Sequence, residues 1–316
     1  MIKYYGKADE KMIELEQQEL GCWVNISPPF SQEELVEVAT HNDIPLDFLI
    51  DSLDIDERSR YEREEDVRLI VINTPMLNEQ DEELSSIFIT VPIGIIITSD
   101  NIFTISSYDN PILQRFLDRR VKNFDPTNEK LFVLQIFEQT VFRFLNCLKQ
   151  LNLKRNLIER ELYNSSRSSD LKQLLSIEKS LVYFVNSLSS NELLKMKIKR
   201  VDYLNIRESE YLTDLFEDII IDNSQALEMS NVYTNILNGT MDSYSSIISN
   251  NLNIVIQRLT SITIILMVPT LVASFYGMNV EGLPMKDNPL AFGIIIIISL
   301  VISLLLAWYF QRKRLF

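Results

Sequence analysis

Asn253, Ile256, Thr260, Thr263, Met267, Thr270 and Ser274 recur three or four positions apart near the C-terminus, and most of them are polar. At helical period they share one face, while the residues between them, such as Ile254, Ile262, Ile264, Leu266 and Val268, are wholly apolar. The chemistry on offer is that of neutral oxygen. A divalent cation such as Mg2+ sheds its octahedral water shell reluctantly, and hydroxyls and amide carbonyls can bond those waters without stripping them. A ring of carboxylates in a narrow path would hold such an ion too tightly for release. Ile256, Leu259 and Met267 would narrow the path and form a hydrophobic gate by dewetting. Two accounts of the stripe stay open on the residues alone. Hydroxyls in membrane helices also bond their own backbone or a neighbouring helix, and small residues ease packing. A water-filled path needs an oligomer, because two helices cannot enclose a pore.

No other constellation competes. His41 is the single histidine, and Cys22 and Cys147 are far apart. No zinc cluster, histidine-based triad or paired-cysteine motif can be assembled from that inventory. Seven glycines supply no phosphate loop. The chain is therefore read as no enzyme, with no organic cofactor, and its two cysteines as reduced core thiols.

The elements that must position the stripe are legible in the charge pattern. Leu259 to Val280 and Asn288 to Gln311 contain no Asp, Glu, Lys, Arg or His. A helix rises ~1.5 Å per residue, so ~20 apolar residues cross a hydrocarbon core of ~30 Å. Both stretches qualify as spans, at about 256–276 and 290–310, joined by a short connector. Arg312, Lys313 and Arg314 follow the second span and Arg258 precedes the first, whereas the connector holds Lys286 against Glu281 and Asp287. The positive-inside rule then places both termini in the cytoplasm of a multi-pass plasma-membrane protein. No secretory signal is expected, since Met1 to Lys7 runs straight into charged sequence.

The formal charge of −14 is unevenly spread. Residues 251–316 carry five Lys/Arg against two Asp/Glu, leaving −17 on residues 1–250. So acidic a soluble part argues against nucleic acid and against docking on anionic lipid, and is compatible with attracting cations. Residues 1–18 read as a charged lead-in. A strand at Cys22–Ile26 precedes a helix starting at Ser31 and a short one opened by Pro45. Strands follow at Val67–Ile72, Ser86–Val91, Ile93–Thr98 and Ile102–Ser106. Helices are expected from Asn128 to about Asn164, from Asp170 to about Leu188, and from near Asn191. A last helix runs from about Ser209 to about Tyr276, ~68 residues and ~100 Å, which must pack against copies of itself or the preceding helices. The fold class is α/β (α+β) over residues 1–120, a helical cytoplasmic region over 121–252 that includes the start of the long pore helix, and a transmembrane hairpin over 253–316.

Tyr276-Gly277-Met278-Asn279, at the outer end of the first of two C-terminal spans, resembles the signature of the CorA family of divalent-cation transporters. The hairpin, the basic tail, the long preceding helix and the acidic α/β domain extend the resemblance over essentially the whole chain. The resemblance implies a funnel-shaped homopentamer in the lipid bilayer, its first span around the pore and the Gly-Met-Asn motif at the outer mouth. It implies that Asn279 offers its carbonyl to hydrated ions and that Gly277 allows the tight turn ending the helix, with Met278 between them. Asn253, Met267 and Thr270 fall where the family has pore-facing residues. A regulatory metal site between neighbouring subunits is implied too, matched here to Asp51 and Asp218, with Asp47, Asp54, Asp56, Asp214, Glu217 and Asp222 as rivals. Intracellular Mg2+ held there would close the path. The connector departs from many relatives, which carry an acidic residue just after the proline, and leaves Glu281 to attract cations outside. The function implied is passive divalent-cation transport, Mg2+ first with Co2+ and Ni2+ as surrogates. A zinc-transporting branch and a membrane-anchored sensor without transport are the alternatives.

Overall fold

The computed structural model describes residues 1–8, 11–79, 85–162, 168–278, 283–284 and 289–313. It divides into two compact units, Met1–Met241 and Asp242–Phe316.

The first unit is built on a seven-stranded sheet ordered β2-β1-β3-β7-β6-β5-β4. The strands are β1 (Ile2–Ala8), β2 (Lys11–Leu15), β3 (Trp23–Ile26), β4 (Arg60–Glu64), β5 (Val67–Leu77), β6 (Phe88–Ile97) and β7 (Ile102–Ile105). Among the described strands β3 and β7 pair in parallel and the other neighbours are antiparallel. The near-continuous apolar runs of β5 and β6 follow from burial on both faces. Leu69 and Val71 point into one core with Leu35, Val38, Phe48 and Leu49 of α1 (Gln32–His41) and α2 (Leu46–Asp51). Their neighbours Ile70 and Ile72 point into the other, against Phe116 of α3 (Pro111–Leu117), Phe132 and Phe137 of α4 (Glu129–Leu162), Leu194 of α5 (Ser168–Val201) and Phe216 of α6 (Glu210–Tyr276). The result is a three-layer arrangement, with the expected strand alternation hidden inside an apolar run.

Local signals explain the ends. Ser31 caps α1 as expected, its hydroxyl accepting from the Glu34 N–H at 3.1 Å while the Glu34 carboxylate accepts from the Ser31 N–H at 2.7 Å. Both thiols are buried and free, and burial pushes that of Cys147 up to about 11.

Three expectations need correction. Residues 1–18 are no mere lead-in, because they hold the β1–β2 hairpin, crosslinked by the Lys3–Glu14 ion pair at 3.0 Å. The two runs on either side of Pro92 are one strand, β6, in which Pro92 sits opposite Asn73. The break expected before Asn191 does not exist: α5 runs through it. The small polar residues there dock the helix on the sheet instead. Asn191 is fully buried and donates to the Asn73 carbonyl at 2.9 Å, and the Ser187 and Thr90 hydroxyls bond at 2.8 Å.

Close packing of α2 on β6 depends on one glycine. A Cβ at Gly94 would stand 2.4 Å from the Ser52 Cβ and 2.1 Å from its Oγ. Ser52 is fully buried and its hydroxyl bonds the Phe48 carbonyl at 2.6 Å, so its Cβ can yield only if α2 lifts. Gly94→Ala is expected to destabilise the unit by about 1–3 kcal/mol through overpacking. A thermal midpoint equal to wild type would show that α2 moves freely.

Three helices among the described residues are long and apolar enough to cross a membrane by length and composition: α4, α6 and α7 (Ala291–Arg312). In α4 that run is spent inside the first unit, where Phe132, Phe137, Phe144 and Leu148 are fully buried. The corresponding runs of α6 and α7 stay exposed.

Candidate functional site

The second unit consists of the end of α6 packed with α7. At 3.6 residues per turn each residue advances about 100°, so the stripe from Asn253 to Ser274 occupies one side of α6. Asn253, Ile256, Leu259, Thr260, Thr263, Met267, Thr270 and Ser274 are all exposed in the protomer. The partly or fully buried positions are Ser261, Ile265, Val268, Pro269 and Val272. By the same rotation these lie about 180° from the centre of the stripe. There α7 docks, with the Ser303 hydroxyl 3.3 Å from the Ile265 carbonyl and 3.0 Å from that of Ser299.

Burial divides the hydroxyls of these two helices into two sets. Ser261, Ser299 and Ser303 are buried and serve packing. The stripe is left uncovered. Thr263 donates to the Leu259 carbonyl at 2.8 Å and Thr270 to that of Leu266 at 3.0 Å. A hydroxyl has one proton and two lone pairs, so each back-bonded threonine keeps its acceptor side turned outward. Water bound to a cation presents protons, and acceptors are what it needs. Ile256, Leu259 and Met267 stand on the same side, 51%, 64% and 63% exposed, which puts the three gate candidates in line with the hydroxyls.

α6 ends at Tyr276, two residues short of the described limit of the motif. The Gly277 N–H donates to the Ala273 carbonyl at 2.9 Å, and a Cβ at Gly277 would stand 3.3 Å from that oxygen. The tightness there comes from close backbone approach, and Met278 follows, exposed. Asn279 and Glu281 lie outside the described residues. The connector residue Pro284 accepts from the Tyr276 hydroxyl at 3.3 Å.

In the first unit, Asp51 closes α2 and is held within the protomer. Its carboxylate accepts from Arg60 Nη2 at 2.7 Å. The same guanidinium donates to Glu57 at 2.8 Å and also to Glu62. Arg60 is the residue that sequence reasoning missed, and its place at the start of β4, a strand the sequence did not reveal, is the reason. Asp218 is exposed on α6. Of its rivals, Glu217 is paired with Lys199 at 2.7 Å, and Asp54 accepts from the Asp56 N–H at 3.0 Å. No group of three or more His, Cys, Asp or Glu side chains able to hold a metal occurs among the described residues. Within one protomer Asp51 and Asp218 therefore belong to no such cluster, and His41, in the last turn of α1, joins none either.

A solved structure has this build over its whole length. The complete CorA magnesium transporter from Methanocaldococcus jannaschii superposes with a TM-score of 0.81 at 25% identity, covering 99% of this chain and 98% of that one. The fold is thus that of CorA. Residues 19–313 match the family described as CorA-like Mg2+ transporter protein, and the chain belongs to it. Two curated relatives agree. A cobalt/magnesium transport protein CorA from Methanocaldococcus jannaschii is 28% identical over 296 residues, 92% of this chain and 90% of the relative. Its counterpart from Thermotoga maritima is 21% identical over 321 residues, 96% and 86% of the two chains.

Proposed function

We propose that the chain is a passive transporter of hydrated divalent cations, Mg2+ first and Co2+ as a surrogate. The observation that carries this reading is the placement of α7, which packs on the side of α6 opposite the polar stripe and leaves every stripe residue uncovered. In the reading, α6 from about residue 256 and α7 cross the plasma membrane with both termini in the cytoplasm, and a closed ring of copies, a homopentamer, turns the stripes inward. Asn253, Thr260, Thr263, Thr270 and Ser274 then accept from the ion's waters, and Ile256, Leu259 and Met267 form the constriction. Gly277, Met278 and Asn279 form the outer mouth, with Glu281 beside it. The relatives' descriptions as cobalt/magnesium transport proteins support the ion class.

The driving force needs no nucleotide. A negative-inside potential supplies about 2.3 kcal/mol per charge for each ~100 mV, doubled for a divalent ion. Regulation belongs to the same proposal: Mg2+ between Asp51 of one copy and Asp218 of the next would draw subunits together and close the path. Arg60 gives that step a competitor, since its guanidinium must release Asp51 before a metal takes the carboxylate.

The test is influx into liposomes loaded with a Mg2+-sensitive dye, under a negative-inside potential, for wild type and Asn279→Ala. Influx that the substitution abolishes is the expected result. Zn2+ moving where Mg2+ does not would replace the ion, and silence for every divalent cation would leave a membrane-anchored sensor.

A further inference from the structure

The strongest unassigned feature lies in the first unit, between β4 and α5, and it is independent of the transport reading. A cavity of about 930 Å3 opens there. That is within the ~300–1,000 Å3 typical of small-molecule sites. Four cations line it, namely Arg58, Arg60, Lys197 and Arg200. Arg60 is engaged by Glu57, Glu62 and Asp51. Arg58, Lys197 and Arg200 are exposed, and no ion pair is formed by any of them among the described residues. Two carboxylates, Asp56 and Glu57, line the cavity as well, Glu57 being held by Arg60, so the lining keeps a net +2 where residues 1–250 carry −17. A net-positive lining on so acidic a surface attracts anions.

The cavity wall is as informative as its charge. Tyr183, Ser187, Ser190, Leu194 and Lys197 all line it and recur four, three, four and three positions apart, one stripe of α5. That stripe spans about 21 Å at ~1.5 Å per residue. Its floor is pre-ordered: Ser187 Oγ bonds Thr90 Oγ1 at 2.8 Å and Ser190 Oγ bonds Ser59 Oγ at 3.2 Å, beside the Asn191–Asn73 bond. Tyr183, 45% exposed, stands at one end, and Lys197 and Arg200 stand toward the other. Inorganic phosphate would fill little of such a space. Guanidinium groups bind phosphate in a planar, bidentate manner, and an exposed aromatic ring offers a stacking face.

We propose that this cavity binds a nucleoside polyphosphate, its phosphates at Arg58, Lys197 and Arg200 and its base beside Tyr183. The occupant would then report on the soluble unit independently of any metal. It would also sit close to the Asp51–Arg60 pair, because Arg58, two positions from Arg60, lines the same cavity.

The experiment is calorimetric titration of the full-length protein in detergent, in EDTA at low salt, with ADP and separately with inorganic tripolyphosphate. Saturable ADP binding is expected. It should weaken by roughly tenfold for each cation removed in Arg58→Ala, Lys197→Ala and Arg200→Ala, since each removes a charge-assisted bond. Tyr183→Ala should weaken ADP and leave tripolyphosphate unchanged. The pair Lys149→Ala and Lys154→Ala, exposed on α4 away from the cavity lining, should bind ADP as wild type does. Absence of saturable ADP binding, or binding indifferent to the three cations at an unchanged thermal midpoint, overturns the proposal. Tripolyphosphate binding as tightly as ADP, with ADP binding indifferent to Tyr183→Ala, overturns the nucleotide in favour of a bare polyphosphate.

Discussion

Removing two hydroxyls from the uncovered side of α6, in Thr263→Val with Thr270→Val, is expected to cut Mg2+ influx by roughly tenfold or more while leaving the protein folded. In the proposed pore each oxygen lost would be an acceptor for an ion's water, and a hydrogen bond contributes about 0.5–1.5 kcal/mol. In a ring of copies every substitution is repeated in each subunit, so small losses multiply. Valine keeps the branched shape of threonine and removes only the oxygen. Little helix stability is at risk, because the two hydroxyls back-bond carbonyls of their own helix at 2.8 and 3.0 Å and hold no second helix in place. Ser299→Ala supplies the contrast. That serine is buried and bonds the Ile296 carbonyl of its own helix at 2.9 Å, away from the stripe, and its loss should leave influx near wild type. Influx unchanged in the threonine double variant would sink the water-accepting role of the stripe and return these residues to packing.

The same two sets of hydroxyls show how far a sequence can be read. Periodicity identified the stripe, because a polar side chain every third or fourth position in an uncharged run has few explanations. It could not say which side α7 covers, since α7 is aliphatic nearly all round and offers no facing pattern. Long, strongly patterned elements were legible: α6 runs unbroken past Gly239 and Pro269 to Tyr276, and the Ser31 capping box opens α1. Elements whose stability comes from partners were not. β4 reads Arg-Tyr-Glu-Arg-Glu, with no apolar alternation, and is a strand because β5 pairs along it. β1 and β2 mix charge with apolar residues and are fixed by each other and by β3. Ser189, Ser190 and Asn191 read as a helix break because such residues compete for backbone bonds in isolated helices. Here the Ser190 and Asn191 side chains are spent on Ser59 and Asn73, more than a hundred residues away. The same distance effect hid Arg60 behind Asp51. The Gly277-Met278-Asn279 motif carried most of the functional reading, although Asn279 and Glu281 lie outside the described residues.

Lys195→Met is expected to reverse its effect on stability across the neutral-to-alkaline range. Lys195 is fully buried, its Nζ donates to Asn223 Oδ1 of α6 at 2.6 Å, and it lies 5.7 Å from the Phe137 ring of α4. Asn223 in turn donates to the Leu188 carbonyl at 3.1 Å, so one amide joins α6 to α5 through the lysine. Burial pulls the amine down to about 7 from its usual 10.5, and the nearby Glu192, itself accepting from Ser224 of α6, only partly opposes this. The unfolded chain therefore binds more protons than the folded one between about pH 7 and 10.5, and wild-type stability gains from this group as pH rises through that window. At about 1.4 kcal/mol per pKa unit, the charge costs the folded state several kcal/mol below pH 7. Methionine removes that cost and leaves Asn223 Oδ1 without its donor, a loss of about 1–3 kcal/mol. The variant should thus melt above wild type at about pH 6 and below it at about pH 10, with the two curves crossing between. Comparing the two proteins at each pH cancels every group they share. A constant gap across the range would mean that Lys195 keeps its charge in the folded protein, and that the bond to Asn223 holds an ammonium at every pH tested.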